Sequence, residues 1–213
     1  MSEQKTESQR PVVAAFDFDV TITTQDTFVP FLMRTFGKWP TYKAFILLGV
    51  SGLLVLCKLY SRDRFKEKIV HRLFAGQSVA ALIQVGVNHA QAIKNLARPE
   101  ALERIAWHKA RGDRLIMVSA SLDLYLEPVA KALGFDDLLC TRLVREGLVF
   151  TGELDGKNCR AQEKVNKLTS LLGDLTKVEL YAYGDSAGDK EMLEVADHPF
   201  MRAFEPGGSL TKL

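Results

Sequence analysis

The sequence predicts an α/β protein: a Rossmann-like, doubly wound parallel sheet into which an all-α helical cap is inserted. Three observations lead to this prediction. A buried apolar strand comes early in the chain, at residues 12–16. From Pro99 onward, apolar strand-like runs alternate with helix-like segments, which is typical of a parallel sheet covered by helices on both faces. Residues 27–96, between these two parts, contain helix-compatible stretches and no strand-like run bounded by turns.

The strands are predicted from short apolar runs that end at polar or turn residues. They cover residues 12–16, 115–118, 138–144, 148–151, 178–183 and 200–204. The third and fourth runs flank Arg145-Glu146-Gly147, so they predict a β-hairpin.

The helices of the sheet-forming part are predicted from apolar spacing and from their end signals. They cover residues 99–111, 123–133, 161–172 and 190–195. Pro99 suits a first helical turn, and Gly112 and Gly134 are typical of the residue that follows a helix end.

The charge distribution supports a separate insert. Residues 30–98 hold eleven basic residues against Asp63 and Glu67, so this segment is +9 and the rest of the +2 chain is −7. Such a segment would attract phosphate esters, acidic lipids or nucleic acid, although a solvated basic helical surface explains the charge equally well. We place the cap at 27–96, the core at 11–26 and 97–213, and a flexible N-terminal tail at 1–10.

Composition narrows the class of protein. With 213 residues, 47% of them apolar and 25% charged, the chain is an ordinary folded protein. Its three cysteines form no CxxC pair, which disfavours a disulfide framework and favours a reducing, cytoplasmic compartment. Its four histidines form no HxH or HxxxH pair, so zinc is not predicted. The polar first ten residues are not typical of a signal peptide.

Reactive side chains come at the ends of the predicted strands, where ligands bind in doubly wound sheets. They are Asp17 and Asp19 after the first strand, Ser119 after the second, Asp185 and Asp189 after a later one, and Lys164 on the preceding helix. Carboxylates gathered at one edge repel each other unless a cation neutralises them, and ligands that are all oxygen favour Mg²⁺.

Such a site is suited to phosphoryl chemistry. Mg²⁺, Lys164 and the Ser119 hydroxyl could hold the phosphoryl oxygens. One carboxylate could act as nucleophile and form an aspartyl-phosphate. The carboxylate two residues further on lies on the same side of an extended chain, where it could act as general acid and base.

These residues resemble the four ordered motifs of the haloacid dehalogenase-like (HAD) hydrolases. The matching segments are Asp17-Phe18-Asp19-Val20-Thr21, Val118-Ser119, Lys164, and Gly184-Asp185-Ser186-Ala187-Gly188-Asp189. They resemble most the phosphoserine phosphatase branch, subfamily IB, which has a helical C1 cap after the first motif. The resemblance runs from about Val12 to Phe204, with the cap matched by position and helical character.

The resemblance implies a role for each motif residue. Asp17 would be the nucleophile and a metal ligand, and Asp19 the general acid/base with its backbone carbonyl on the metal. Asp185 would be the third ligand, and Asp189 would support the metal's water shell. Ser119, Ala120, Val20 and Lys164 would bind the phosphoryl group.

One motif position departs from the family pattern, and another could be assigned to more than one residue. The family usually has a small residue at the position of Val20, whose backbone N–H should face the phosphate. Lys157, Arg160 and Lys167 are neighbours of Lys164, which we choose because Cys159-x4-Lys164-Val165 best resembles this branch.

Three further polar residues near the motifs have two interpretations. Asp26 could contact a substrate amine, as an acidic residue near this position does in phosphoserine phosphatases, or could cap the first cap helix. Ser121 and Asp123 could take part in the chemistry or form a helix N-cap, and we interpret them as an N-cap.

The cap contains a run without charge, Ala44 to Cys57, flanked by Lys43 and Lys58. At 14 residues it is shorter than the roughly 20 residues that span a bilayer. We expect a cap helix buried against its neighbours or in a dimer; the alternative is a helix in peripheral contact with an anionic membrane. Some HAD relatives, including a bacterial phosphatidylglycerophosphate phosphatase, carry such a cap.

The leading functional hypothesis is a Mg²⁺-dependent phosphatase, a phosphoric monoester hydrolase acting on a small phosphorylated metabolite. The alternative is a lipid-phosphate phosphatase of the phosphatidylglycerophosphate type at the membrane surface. A phosphoacceptor switch is disfavoured because Asp19 would hydrolyse the acyl phosphate, and dehalogenation because it needs neither metal nor second aspartate. Nucleic-acid binding is not predicted, since the basic segment lacks interleaved aromatic residues. Monomer and homodimer both remain open.

Overall fold

The computed structural model describes residues 10–49, 61–205 and 207–208. Its sheet has six strands: β1 (Val12–Phe16), β2 (Arg114–Leu122), β3 (Asp137–Glu146), β4 (Val149–Asp155), β5 (Glu179–Gly184) and β6 (His198–Met201). Their order across the sheet is β4-β3-β2-β1-β5-β6. β1 pairs in parallel with β2 and β5, and only the β3–β4 hairpin is antiparallel among the described strand pairs.

The helices of the core are α5 (Pro99–Arg111), α6 (Asp123–Leu133), α7 (Gln162–Leu172) and α8 (Lys190–Glu194). Alternate residues of β1 enter two different clusters of buried side chains. Phe16 packs in one with residues of α5 and α6, whereas Val13 packs in the other with Leu168 of α7 and Met192 of α8. The sheet is therefore covered on both faces, and the predicted doubly wound architecture is confirmed.

Four described helices lie between β1 and α5: α1 (Phe28–Phe36), α2 (Lys38–Leu47), α3 (Arg62–Phe74) and α4 (Val79–Ile93). The chain enters and leaves this region side by side, because Thr24 N–H donates to the Leu96 carbonyl and Arg98 N–H to the Ile22 carbonyl, at 2.9 and 2.8 Å. The arrangement is that of an insertion. The boundaries at 27 and 96 stay a prediction.

The helical region packs closely on the core at Gly86 of α4. A Cβ added to Gly86 would lie 2.1 Å from the Leu124 carbonyl oxygen of α6, so the two backbones approach at a distance that only glycine permits. The α3–α4 turn also joins the hairpin, since Gly76 N–H donates to the Phe150 carbonyl at 2.8 Å. These contacts fix the cap helices against α6 and the β3–β4 hairpin.

Three predicted strand ends differ clearly from the structure. β2 continues to Leu122 rather than ending at Val118, so Ser119 lies in the strand and not after it. The last strand is His198–Met201 rather than 200–204, because the backbone turns at Arg202, which has a φ of 55°. Phe204 then packs back onto the core, with its ring stacked on Tyr183 at 5.4 Å between centroids. The second strand of the hairpin continues to Asp155 rather than ending at Thr151.

Two predictions fall partly outside the described residues. Of the run Ala44–Cys57, the structure describes positions 44–49, where α2 ends at Leu47. Of the predicted tail, only Arg10 is described. None of the helices in the described ranges has the length and apolar character needed to cross a bilayer.

Candidate active site

Neighbouring strands bring the motif residues together. Asp17 follows β1, Ser119 lies in β2 and Asp185 follows β5, and these three strands are adjacent in the sheet. Because the strands are parallel, their carboxyl ends meet at one edge. A cavity of about 370 Å³ lies there, and its lining includes Asp17, Asp19, Ser119, Lys164, Asp185 and Asp189.

Lys164 lies between two carboxylates at this edge. Its Nζ donates to Asp17 Oδ1 and to Asp189 Oδ1, both at 2.5 Å, and to the Val118 carbonyl at 2.8 Å. All three charged side chains are buried, with exposed fractions of 7% for Asp17, 2% for Lys164 and 1% for Asp189. Buried charges of this kind are stable only when they are paired and hydrogen-bonded, as these are.

Burial and neighbouring charges shift the pKa values of the three carboxylates in different directions. Burial raises the pKa of Asp17 to about 8, although the Lys164 charge opposes the shift. Burial and the Asp189 charge raise the pKa of Asp185 to about 6. Burial also acts to raise the pKa of Asp189, but Lys164 and the hydrogen bonds from Ser186 hold it below its usual value. Three carboxylates lie here with one lysine, so the ammonium of Lys164 cannot balance their charge when all three are ionised.

These carboxylates have the composition of a site for a hard cation. Asp17, Asp185 and Asp189 each offer one oxygen, and the three oxygens lie within 4.8 Å of one another. Thr21 Oγ1 bridges two of the residues, at 3.2 Å from Asp17 Oδ2 and 3.3 Å from Asp185 Oδ1. All the donor atoms are oxygen, which fits Mg²⁺.

The Asp19 carboxylate is held apart from this cluster. Its Oδ1 accepts from Thr27 N–H at 2.8 Å and Thr27 Oγ1 at 2.5 Å, and its Oδ2 accepts from the Ser121 hydroxyl. Burial and the Asp26 charge raise the pKa of Asp19, while these hydrogen bonds oppose the rise. A carboxyl group with a raised pKa and a fixed orientation is suited to proton transfer.

Ser121 was interpreted as part of a helix N-cap, and that interpretation is wrong. The N-cap residue of α6 is Leu122, whose side chain makes no capping hydrogen bond. The register of β2 against β3 shifts between Ser119 and Leu122, which directs the Ser121 hydroxyl to Asp19 instead. Asp123, the other member of the expected cap, accepts from Arg145 at 3.3 Å and Arg142 at 3.5 Å.

The residues predicted to bind the phosphoryl group all line the cavity. Ser119 Oγ accepts from Ser121 N–H at 3.0 Å, which leaves the Ser119 O–H free to donate. The Ala120 carbonyl accepts from Lys66. The Val20 N–H, expected to face the phosphate, donates to Thr23 Oγ1 at 3.1 Å, and Val20 has a φ of 63°.

Asp26 lines the cavity and also caps the first cap helix. Its Oδ1 accepts from the N–H groups of Phe28 and Val29 at 3.1 and 3.2 Å, in the first turn of α1. The structure thus contains the capping contact, while contact with a substrate amine stays a prediction.

Sequence reasoning missed the residues with which the cap reaches the site. Lys66 of α3 donates to the Ala120 carbonyl and to Asn158 Oδ1, the latter at 3.0 Å. Arg62, Asp63, Asn158 and Arg160 also line the cavity. The positive charge of residues 30–98 indicated that cap cations matter, but nothing in the sequence indicated which of them faces the core.

The comparisons with known proteins agree with this geometry. Residues 14–194 match the haloacid dehalogenase-like hydrolase family, and the chain belongs to it. Protein CicA of Caulobacter vibrioides is 36% identical over 197 residues, covering 91% of this chain and 87% of CicA. A probable phosphatase of Mycobacterium tuberculosis is 28% identical over 192 residues, covering 87% of this chain and 66% of that protein.

Two solved structures share the fold. A Bordetella pertussis Tohama I protein of unknown function has a TM-score of 0.78 at 23% identity, covering 90% of this chain and 89% of that one. A substrate-bound phosphoserine phosphatase has a TM-score of 0.63 at 19% identity, covering 91% and 86%. The predicted membership of the HAD hydrolase family and the phosphoserine phosphatase-like fold are thereby confirmed.

Proposed function

We propose that this enzyme is a Mg²⁺-dependent phosphatase that hydrolyses a small phosphomonoester through an aspartyl-phosphate on Asp17. The observation that carries the proposal is the arrangement of Asp17 at the cavity. Its carboxylate is buried, oriented by Lys164 and Thr21, and accompanied two residues further on by the independently held Asp19. A fixed carboxylate beside a fixed general acid is what covalent phosphoryl transfer requires.

Asp17, Asp185 and Asp189 are the side chains that would hold or support the metal ion, with the Asp19 backbone carbonyl as the ligand that the family resemblance implies. The grouping of three carboxylates with a single lysine supports a bound cation, because its positive charge would favour their ionised forms. When bound, Mg²⁺ neutralises charge on the phosphoryl oxygens.

The chain's own residues then divide the reaction into two steps. An Asp17 carboxylate oxygen attacks phosphorus, the bond to the substrate oxygen breaks, and Asp19 gives its proton to the departing alkoxide. Asp19, now ionised, takes a proton from water as that water attacks the aspartyl-phosphate, which releases phosphate and restores Asp17. Ser119 and Ala120 orient the phosphoryl group by donating from the hydroxyl and the backbone N–H. Lys164, whose three N–H groups are engaged by Asp17, Asp189 and Val118, attracts the phosphoryl group through its positive charge.

The direct test is release of phosphate from p-nitrophenyl phosphate with added Mg²⁺. We expect Asp17→Asn to lower kcat at least about a thousandfold, because the nucleophile is removed. The matched control is Asp174→Asn, which changes an exposed carboxylate of the same type that hydrogen-bonds Thr176. EDTA should abolish the activity and Mg²⁺ should restore it. An Asp17→Asn enzyme with wild-type turnover would contradict the proposed nucleophile.

The role of Asp19 is tested by comparing substrates whose leaving groups differ in their need for a proton. Asp19→Asn should slow the hydrolysis of alkyl phosphates by about 10²–10⁴-fold, the usual contribution of a general acid. The loss should be smaller for p-nitrophenyl phosphate, whose phenolate departs without a proton. Equal losses in kcat/KM, which reports the attack on the substrate and not the later attack of water on the common intermediate, would argue against Asp19 as the acid.

A second candidate function is hydrolysis of a lipid phosphate at a membrane surface, and α2 favours it. Four large apolar side chains of this helix are exposed: Trp39 by 71%, Ile46 by 70%, Leu47 by 55% and Tyr42 by 48%. Residues 27–62 contain no acidic residue, whereas Lys38 and Lys43 lie on α2 itself. Aromatic, aliphatic and basic side chains together suit an anionic bilayer interface.

This candidate is tested with vesicles. Trp39 and Trp107 are the two tryptophans of the chain, so Trp107→Phe leaves Trp39 as the reporter. Its fluorescence should shift to the blue with phosphatidylglycerol vesicles and stay unchanged with phosphatidylcholine vesicles. Ile46→Ser should weaken sedimentation with anionic vesicles, whereas Leu148→Ser, at a position 85% exposed on the hairpin, should not. Absence of vesicle binding together with absence of activity on lysophosphatidic acid would remove the candidate.

A further inference from the structure

Asn158 lies where the cap helix α3 meets the core. Its side chain is buried, with 6% exposed. Its Nδ2 donates to Asp63 Oδ1 at 2.6 Å, and its Oδ1 accepts from Lys66 Nζ at 3.0 Å and from Thr141 Oγ1 of β3 at 2.8 Å. A single amide therefore joins two residues of the cap to a strand of the core. We name Asp63, Lys66 and Asn158 the cap clasp.

The two cap residues of the clasp lie on one face of α3. Asp63 and Lys66 are three residues apart, the spacing that places side chains together on a helix. Asp63 lies in the first turn, where its N–H is capped by the Ser61 hydroxyl at 3.2 Å. Lys66 Nζ also donates to the carbonyl of Ala120, the residue that follows Ser119. Through this face, α3 reaches the loop expected to bind phosphate.

On the core side, Asn158 belongs to the loop that leads to Lys164. Thr141 Oγ1 also accepts from Cys159 N–H at 3.0 Å, and Arg160 N–H donates to the Asn158 carbonyl at 2.8 Å. Ala161, which precedes α7, donates its N–H to the Gly188 carbonyl at 2.8 Å. The loop is thus tied to β3 and to the segment that carries Asp185 and Asp189.

The clasp requires an amide at position 158. The oxygen accepts from two donors while the nitrogen donates to a carboxylate, and Asn supplies both kinds of atom in one planar group. An Asp of the same shape would keep the oxygen contacts but would set a second carboxylate oxygen against Asp63. Two carboxylates at hydrogen-bond distance repel each other.

We propose that Asn158 is a positioning residue that clamps α3 onto the catalytic loops and thereby holds Lys66 in the substrate cavity. The effect on turnover rests on the phosphatase function proposed above; the clamp itself does not. Asp17 and Lys164 are held by their own contacts, so loss of the clasp changes how the substrate is enclosed more than it changes the bond-breaking step. The expected signature is a rise in KM with little change in kcat.

The test exchanges the side chains at positions 63 and 158 of the cap clasp. Asn158→Asp should raise KM for p-nitrophenyl phosphate about tenfold, the scale of one lost hydrogen bond to a charged group, with kcat changed less than threefold. Asp63→Asn should have a small effect, because its amide oxygen can still accept from Asn158. The double variant Asn158→Asp/Asp63→Asn should restore KM to within about twofold, since Asp at 158 then accepts from the amide at 63.

Amide hydrogen exchange of α3 provides a readout that needs no substrate. Exchange in residues 62–74 should accelerate in Asn158→Asp and return to the wild-type rate in the double variant. Asp63→Ala, which leaves the core sequence unchanged, should also accelerate it if Asn158→Asp does not fold. The proposal would be overturned by a double variant as impaired as Asn158→Asp. It would also be overturned by unchanged exchange in both Asn158→Asp and Asp63→Ala. If the wild-type protein releases no phosphate, the exchange result still decides whether the clasp exists.

Discussion

Two lysines reach the same cavity from opposite sides, one from the core and one from the cap, and their surroundings differ. Lys164 of the core donates to the carboxylates of Asp17 and Asp189. Lys66 of the cap donates to a carbonyl and an amide oxygen, and lies 4.7 Å from the centre of the Phe28 ring. Burial opposes the charged form of both, so the neighbouring carboxylates decide the outcome.

The pKa values of the two lysines shift in opposite directions. The charges of Asp17 and Asp189 outweigh burial and raise the pKa of Lys164. Burial lowers the pKa of Lys66 to about 8, although Asp19 and Asp26 oppose the shift. The core lysine therefore keeps its charge throughout the physiological range, whereas the cap lysine begins to lose its charge near pH 8. The core fixes the chemistry, and the cap retains contacts that a ligand can exchange.

The largest expected effect comes from replacing each lysine by methionine. Lys164→Met leaves two buried carboxylates without their cation, so the free energy of unfolding should fall by about 3–5 kcal/mol. Lys66→Met removes no carboxylate partner and should lower it by about 1 kcal/mol or less. Urea unfolding of both variants in EDTA measures the difference. Equal losses would show that the two lysines are held alike and would break the comparison.

The core contribution to the site was predictable because parallel strands leave little choice. Once residues 12–16 and 178–183 are adjacent parallel strands, Asp17 and Asp185 must emerge at one edge. Lys164 was harder to predict, since Lys157, Arg160 and Lys167 are close in sequence, and it was selected by resemblance to a family motif. The helix α7 explains the choice afterwards, because Lys164 is buried there beside Val165.

The contacts of the cap were not predictable in the same way. Asp63 and Asn158 are 95 residues apart, and their contact depends on how α3 lies against β4 and the loop that follows it. No periodicity in either segment encodes that placement. Ser121 was missed for a related reason: an irregularity of β2 turns its hydroxyl to Asp19, and a strand pattern does not reveal a bulge of this kind.

A second prediction concerns the response of the cap to acid. His89 of α4 is buried, and its Nε2 lies 3.1 Å from the Thr27 carbonyl. A carbonyl only accepts, so Nε2 carries the proton, and Nδ1 is buried without a partner in the described part of the chain. Burial lowers the pKa of His89 to about 4.

The sign of the effect follows from this shift. Between about pH 6.5 and pH 4, the unfolded chain binds a proton at His89 and the folded chain does not, so stability falls as the pH falls. The free energy of unfolding begins to fall as the pH drops through about 6.5, and near pH 4 it has fallen by roughly 2–3 kcal/mol. Unfolding free energies of the wild type and His89→Gln, measured across this range, should converge in acid. Parallel curves for the two proteins would show that His89 is not the sensor.

The smallest effect is expected at Val20, where the core itself departs from its family. Val20 has a φ of 63°, a left-handed conformation that costs a side-chain-bearing residue about 1–2 kcal/mol. Val20→Gly removes this strain but loosens the unfolded chain, so we expect a net gain of about 1 kcal/mol or less in unfolding free energy. Val20→Ala is the matched control, because it also shortens the side chain and yet keeps the Cβ. If strain at Val20 is real, the glycine variant must be the more stable of the two; equal stabilities would mean that the backbone here is not strained.

Turnover of the glycine variant adds a second measurement. The Val20 N–H donates to Thr23 Oγ1 in the wild type, and a freer backbone at this position should let the N–H turn to the phosphoryl group and raise kcat.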